Sequence, residues 1–241
     1  MAPVSNDKLA VLIDADNAQA ALVHELLAEV SRYGTASIKR AYGDWTTTNL
    51  KGWKEVLHKM AIQPMQQFSY TTGKNSTDSS LIIDAMDLLH AGSLNGFCLV
   101  SSDSDFTRLA TRIREAGLIV YGFGERKTPL SFVAACDKFI YTEILKPQAV
   151  TVPSAEDQPS APSEPLEPML RAAIATTARD NGWAALSAVG SMVLKNSPSF
   201  DPRNYGSQKL GELVRKQQYV EVKEVPVTDG STNVQLHVRL V

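Results

Sequence analysis

The sequence predicts an α/β fold with a mainly parallel sheet sandwiched by helices, followed by a small C-terminal winged helix-turn-helix. Three observations carry that expectation. Short β-branched or apolar runs alternate with helical periodicity over 8–146, a proline-rich stretch interrupts the pattern, and the remainder changes to helices followed by a hairpin.

The first run, LAVLI at 9–13, has the unbroken apolar character of a strand inside a parallel sheet. A helical pattern extends from it to about Tyr33. Next come ASIKRAYG at 36–43, a helix near 49–61, IQPMQQF at 62–68 and a helix at 78–91. The series closes with FCLVSS at 97–102, a helix at 105–116, LIVYGFG at 118–124 and a weak strand, KFIYT, at 138–142. Strand-helix alternation places ligands at the C-terminal ends of the strands. Pro153, Pro159, Pro162, Pro165 and Pro168 then fall among Ser, Ala and acidic residues with no apolar period. This composition predicts a semi-rigid linker at 151–165 between domains at 8–146 and 166–241. In the second domain, helices are expected at 166–180, 184–195 and 206–217. YVEVKEV and NVQLHVRLV follow, flanking the turn residues Asp229 and Gly230, which completes a winged helix.

Composition excludes several classes. A chain that is 44% hydrophobic and 21% charged can bury a core, so disorder of the whole is excluded. No apolar run approaches the ~18 residues of a membrane span, and MAPVSNDK lacks the regions of a signal peptide; a cytoplasmic protein without a membrane partner is the expectation. Cys98 and Cys136 sit in apolar surroundings without CxxC spacing, which argues against a disulfide framework or structural zinc. With a net charge of −2, a nucleic-acid partner must meet a local basic surface.

The informative residues are aspartates. The first strand runs into Asp14-Ala15-Asp16-Asn17, and the fourth ends in Ser101-Ser102-Asp103-Ser104-Asp105-Phe106. One aspartate after a buried strand can simply cap the next helix. Two clusters at two strand ends are different, because close carboxylates repel and raise one another's pKa unless a cation or strong donors compensate. Turning ~100° per residue along the helix at 78–91 gathers Leu81, Ile82, Ala85, Leu88 and Leu89 around the Asp78 direction. Asp78 is thus placed at the helix N-terminus beside the strand ends, Asp84 at the flank of that face, and Asp87 toward solvent. Hard oxygen donors, with His24, His58, His90 and His237 scattered along the chain, select Mg²⁺ or Mn²⁺ over zinc. Carboxylate-held metals at an open sheet end suit phosphodiester hydrolysis. The loop at 71–77 offers Lys74 and hydroxyls to a phosphate, or is a plain polar turn.

VLIDADN, GKNSTDSSLIIDAMD and LVSSDSDF, in that order and spacing, resemble the NYN domain, a branch of the PIN-like metal-dependent ribonucleases, over about 8–146. The resemblance implies a PIN-like, Rossmann-like sheet and hydrolysis of RNA at an acidic metal site of Asp14, Asp78, Asp103 and Asp105, with Asn17 alongside. Asp16 and Asp84 match further acidic positions of bacterial members. The tail is similar to a LOTUS, or OST-HTH, domain over about 166–241, through Trp183, Leu186, FDPRNYG at 200–206, Lys209, Leu210, Leu213 and Val214. That similarity implies a partner that is RNA or protein. On the residues alone, the helix at 206–217 buries Leu210, Leu213 and Val214 and displays Gln208, Lys209, Glu212, Arg215 and Lys216. Lys209, Arg215 and Lys216 are the candidate phosphate contacts, although Glu212 among them also fits an ordinary solvated face.

Two alternatives stay open at this stage. DADN after a strand also resembles the nucleophile motif of HAD-type phosphatases, but Ala18 stands where that family has Thr. A non-catalytic RNA-binding adaptor could keep the same fold without turnover.

Overall fold

The computed structural model describes residues 6–68, 76–146, 165–226 and 234–241. The chain divides into two compact units, Met1–Pro153 and Ser154–Val241. Apart from Pro165, the linker expected at 151–165 lies outside the described residues, as do Lys74 and the hairpin turn at Asp229 and Gly230.

The first unit runs β1 (Lys8–Asp14), α1 (Val23–Val30), β2 (Thr35–Gly43), α2 (Trp53–Lys59), β3 (Gln63–Gln66), α3 (Ser76–His90), β4 (Gly96–Val100), α4 (Thr107–Glu115), β5 (Ile119–Gly124), α5 (Leu130–Ala135) and β6 (Lys138–Tyr141). All six strands pair in parallel, in the order β3-β2-β1-β4-β5-β6. Strands one to three therefore wind one way and four to six the other, and the reversal falls between β1 and β4. In open parallel sheets that crevice is where ligands bind.

Side-chain alternation along the strands splits the core in two. Ala10 and Leu12 of β1 face the layer that holds Leu81, Ala85, Phe97, Leu99, Phe132 and Phe139, under α3, α4 and α5. Leu9, Val11 and Ile13 face the opposite layer with Val23, Leu26, Trp53, Cys98 and Phe123, under α1 and α2. Burial on both faces is the reason LAVLI is apolar without interruption. The helix expected at 78–91 packs as its periodicity requires, with Leu81, Ala85 and Leu89 buried and Asp87 exposed. At the end of β5, a Cβ on Gly124 would approach the Ser101 carbonyl oxygen to 2.5 Å, so only glycine lets β5 lie this close to the segment that follows β4. Cys98 and Cys136 are buried free thiols, and burial pushes the Cys136 thiol up to about 12.

In the second unit, α6 (Leu166–Thr177), α7 (Leu186–Asn196) and α8 (Leu210–Arg215) pack on an antiparallel sheet. Its order is β7 (Ala184–Ala185), β9 (Val234–Leu240) and β8 (Val220–Pro226), the layout of a small winged helix. Leu170, Ile174, Val189, Val193, Leu213, Val214 and Val238 form the core. The third helix is shorter than the expected 206–217. Pro202–Tyr205 makes its own 3₁₀ turn, closed by Gly206 at φ 71°, and α8 starts only after the extended Lys209. Among the described residues, no helix is long and apolar enough to cross a membrane.

Candidate metal centre

Asp14 is the last residue of β1 and is 1% exposed. Its Oδ2 accepts hydrogen bonds from Asn17 Nδ2 and from Ser101 Oγ, both at 2.7 Å, and the Asp16 backbone N–H donates to Oδ1 at 3.2 Å. Burial raises the Asp14 pKa, the neighbouring Asp16 carboxylate adds to the rise, and the Asn17 and Ser101 donors oppose it. Asn17, expected at the centre, acts on Asp14 through this bond. Ser101 was not singled out from the sequence. Register explains its role, because Ile13 pairs with Val100 and the next residues on the two strands are Asp14 and Ser101.

Ser101 extends the arrangement into the second cluster, for its Oγ accepts from the Asp103 backbone N–H at 3.1 Å. Asp103 is the N-cap of the 3₁₀ turn Ser104–Phe106, with Oδ1 accepting from the Asp105 N–H at 2.9 Å. The capping and the metal-binding readings therefore coexist, since a carboxylate carries acceptor positions beyond the one the cap occupies. Asp78 reaches the same place from the first turn of α3. Asp78, Asp103 and Asp105 each offer a carboxylate oxygen, and these oxygens lie within 4.8 Å of one another. Burial, then Asp14, Asp103, Asp105 and Asp16, push the Asp78 carboxyl up to about 6. Among the described residues, no ion pair joins Asp14, Asp16, Asp78 or Asp103 to a Lys or Arg. A set of closely spaced carboxylate oxygens, with no His or Cys among them, fits a hard divalent cation of the Mg²⁺ or Mn²⁺ class.

Asp16 is exposed one residue beyond Ala15 and stands outside the three-carboxylate group, which it influences through its charge. Asp84 also lies outside that group. Its two carboxylate oxygens take the Arg40 guanidinium and the Tyr42 hydroxyl, both from β2. Burial and the Asp84 carboxylate raise the Tyr42 pKa, so the phenol stays a proton donor. These bonds tie α3, and hence Asp78 at its start, to the strand beside β1.

In the second unit, Arg215 pairs with Glu224 at 2.7 Å, while Lys216 Nζ donates to the Gly206 carbonyl and to Ser207 Oγ, each at 2.9 Å. Lys209 is exposed at the N-cap of α8. The FDPRNYG motif is structural: Asp201 caps its turn and holds Arg203 through both oxygens, and Tyr205 packs on the buried Phe200 at 5.8 Å between ring centres. Trp183 carries the Arg239 guanidinium over its ring at 4.8 Å.

The NYN domain family model matches residues 8–145, more than half of the chain. The chain belongs to the NYN domain family. An OST-HTH/LOTUS domain matches residues 158–231. The NYN unit is thus the one that carries the carboxylate centre. Among solved structures, the chain is similar to a Vibrio parahaemolyticus protein of unknown function at 19% identity, over 58% of this chain and 94% of that one, with a TM-score of 0.48. It is also similar to a Chromobacterium violaceum protein at 45% identity over 32% of this chain and 79% of that one, TM-score 0.26. An uncharacterized Nitrosomonas europaea protein matches at 29% identity over 40% and 91%, TM-score 0.30. No curated protein matches the chain.

Proposed function

We propose that the chain is a Mg²⁺- or Mn²⁺-dependent ribonuclease of the NYN type, with a C-terminal module that recruits RNA or a protein partner. The observation that supports this most is the convergence of Asp78, Asp103 and Asp105 at the sheet's reversal point near the buried Asp14, where burial and then these neighbouring carboxylates push the Asp78 carboxyl up to about 6. Asp78, Asp103 and Asp105 would hold the cation directly. Bound there, it would supply Lewis acidity, lowering the pKa of attacking water and neutralising charge on the leaving oxygen. The protein's own contribution is preorganisation. Asn17 and Ser101 fix the Asp14 carboxylate, Ser101 also anchors the backbone of Asp103, and the cap on Asp105 N–H sets the Asp103 rotamer. Ligands held in place before the cation arrives need no reorganisation when charge develops. A centre made only of carboxylates has little means of reading bases, so selectivity falls to other surfaces.

The test is incubation of the full chain with mixed RNA, single- and double-stranded DNA and p-nitrophenyl phosphate, in Mn²⁺, Mg²⁺ or EDTA. RNA cleavage that needs Mn²⁺ or Mg²⁺ is the expected result. Release of p-nitrophenol instead would assign a phosphatase, and RNA binding without cleavage in either metal would assign an adaptor.

A further inference from the structure

The carboxylate centre leaves out a groove that begins one strand away. β2 ends at Gly43, next to Tyr42, which pairs with Asp14. A Cβ on Gly43 would lie 3.5 Å from the Ala15 Cβ and 3.8 Å from the Trp45 ring, so the segment carrying Trp45 is packed onto the same end of the sheet as Asp14. The indole is fixed, since its Nε1 donates to the Met65 carbonyl at 3.0 Å and its ring meets the buried Trp53 edge-on at 6.4 Å. One side of it remains partly exposed to a groove of about 890 Å³. Leu57 and Ile62 supply apolar wall, and Lys51, Lys54 and His58 line the groove as well.

The charge of this groove is opposite to that of the metal centre. Lys54 and His58 are four apart on α2, Lys51 lies in the turn just before it, and all three line the groove. Among the described residues, no Asp or Glu lines the groove and Lys51 and Lys54 join no ion pair, whereas Lys59 on the same helix as Lys54 is paired with Glu55. A rigid indole beside cations is the combination that binds single-stranded nucleic acid, with a base stacked on the ring and phosphates on the ammonium groups. An extended peptide pairing with β3 fits less well. That edge strand has four residues, and Pro64 among them has no N–H to donate.

We propose that the groove of Trp45, Lys51, Lys54 and His58 is a nucleotide subsite, holding a base and adjoining phosphates of single-stranded RNA beside the bond to be cut. The proposal rests on the ribonuclease reading. Strands lie about 5 Å apart, so the Gln66 end of β3 is about 10 Å from the end of β1 across the sheet, and one strand of RNA laid over these strand ends reaches the end of the groove formed by Trp45 and Gln66.

The experiment uses the full chain, with Trp45→Leu, Trp45→Phe and the double variant Lys51→Ala/Lys54→Ala, all checked for wild-type melting. Affinity for a short fluorescein-labelled single-stranded RNA is measured in EDTA at several salt concentrations, and KM and kcat for the same RNA in Mn²⁺. Trp45→Leu should weaken binding at least about fivefold and raise KM with little change in kcat, while Trp45→Phe, which keeps an aromatic face, should retain most of the affinity. The lysine pair should lower the slope of log K against log salt by about 1.4, for two phosphates released. Wild-type affinity, KM and salt slope in Trp45→Leu and in the lysine variant, with wild-type protein cleaving RNA, would overturn the subsite and leave the nuclease standing. A wild-type chain that neither binds nor cleaves RNA would remove both. Binding of an unstructured peptide in place of RNA, lost in the same variants, would also overturn the subsite.

Discussion

Asp78 and Asp84 sit on one helix, less than two turns apart, and meet opposite electrostatic surroundings. Asp78 faces Asp14, Asp103, Asp105 and Asp16, and its carboxyl is pushed up to about 6. Asp84 is bracketed by the Arg40 guanidinium and the Tyr42 hydroxyl. The same side chain is therefore paired with protein donors at one end of α3 and crowded by other carboxylates at the other. The number of carboxylates in a region does not by itself mark a metal site. What distinguishes the Asp78 end is several carboxylates gathered close together, an arrangement that costs folding free energy which a bound cation would return.

Breaking the crowded end should have the largest effect. Asp78→Asn or Asp103→Asn is expected to lower kcat on RNA on the order of 10²–10³-fold, the usual loss for one charge-stabilising group, while the apo fold stays intact. Circular dichroism and single-turnover cleavage would check the pair of outcomes, and wild-type turnover in both variants would sink the metal centre.

Breaking the paired end should act on stability instead. Asp84→Ala leaves the Arg40 charge under α3, and because both partners retain some solvent contact the cost should fall below the buried-pair range, at about 2–3 kcal/mol. The urea midpoint would measure it. Replacing Arg40 by Met and Asp84 by Leu together should recover only part of the loss, since no charge is then left without its partner but the buried Tyr42 hydroxyl still lacks its acceptor.

A subtler contrast lies in pH. The folded Asp78 pKa is raised from its ordinary 3.8 to about 6, so the folded protein holds this proton more tightly than the unfolded chain does. Its contribution is fully present below about pH 4 and is lost as pH rises through about 6, by roughly 1–2 kcal/mol after discounting for solvent screening of a half-exposed group. Burial shifts Asp14 in the same direction. In EDTA, Asp78→Asn should flatten this decline. Mn²⁺ should raise the melting temperature of the wild type more at pH 7 than at pH 5, and a metal-induced shift independent of pH would contradict the assignment. The smallest effect is expected at Asp87, exposed on the far side of α3, where Asn should change stability by less than about 0.5 kcal/mol and leave cleavage as it was.

Much of the first unit was legible because its strands are apolar in unbroken runs and its helices keep their period. α5 was missed, since PLSFVAA is too short and too uniformly apolar to show a helical repeat. The third helix of the tail was drawn too long because apolar spacing says nothing of Gly206, whose positive φ closes the preceding turn. The pairing of the motif residues was also hidden. FDPRNYG reads as a signature, yet only packing reveals Asp201 and Arg203 as a mutual clamp, and Arg215 and Lys216, read as phosphate contacts, as groups already bonded within their own unit.

By itself the sequence determined which residues end each strand, and so that Asp14 and the Asp103-Asp105 pair emerge at the same end of a parallel sheet, because strand direction and apolar burial are local properties of the chain. Strand order, and the placing of Asp84 against Arg40 and Tyr42, were decided only by the tertiary structure. A parallel connection of strand, helix and strand can turn to either side of β1, and its local sequence is compatible with both. Packing of the two core layers selects β4 as the neighbour of β1, and that choice alone brings Ser101 to Asp14 and sets β2 under α3.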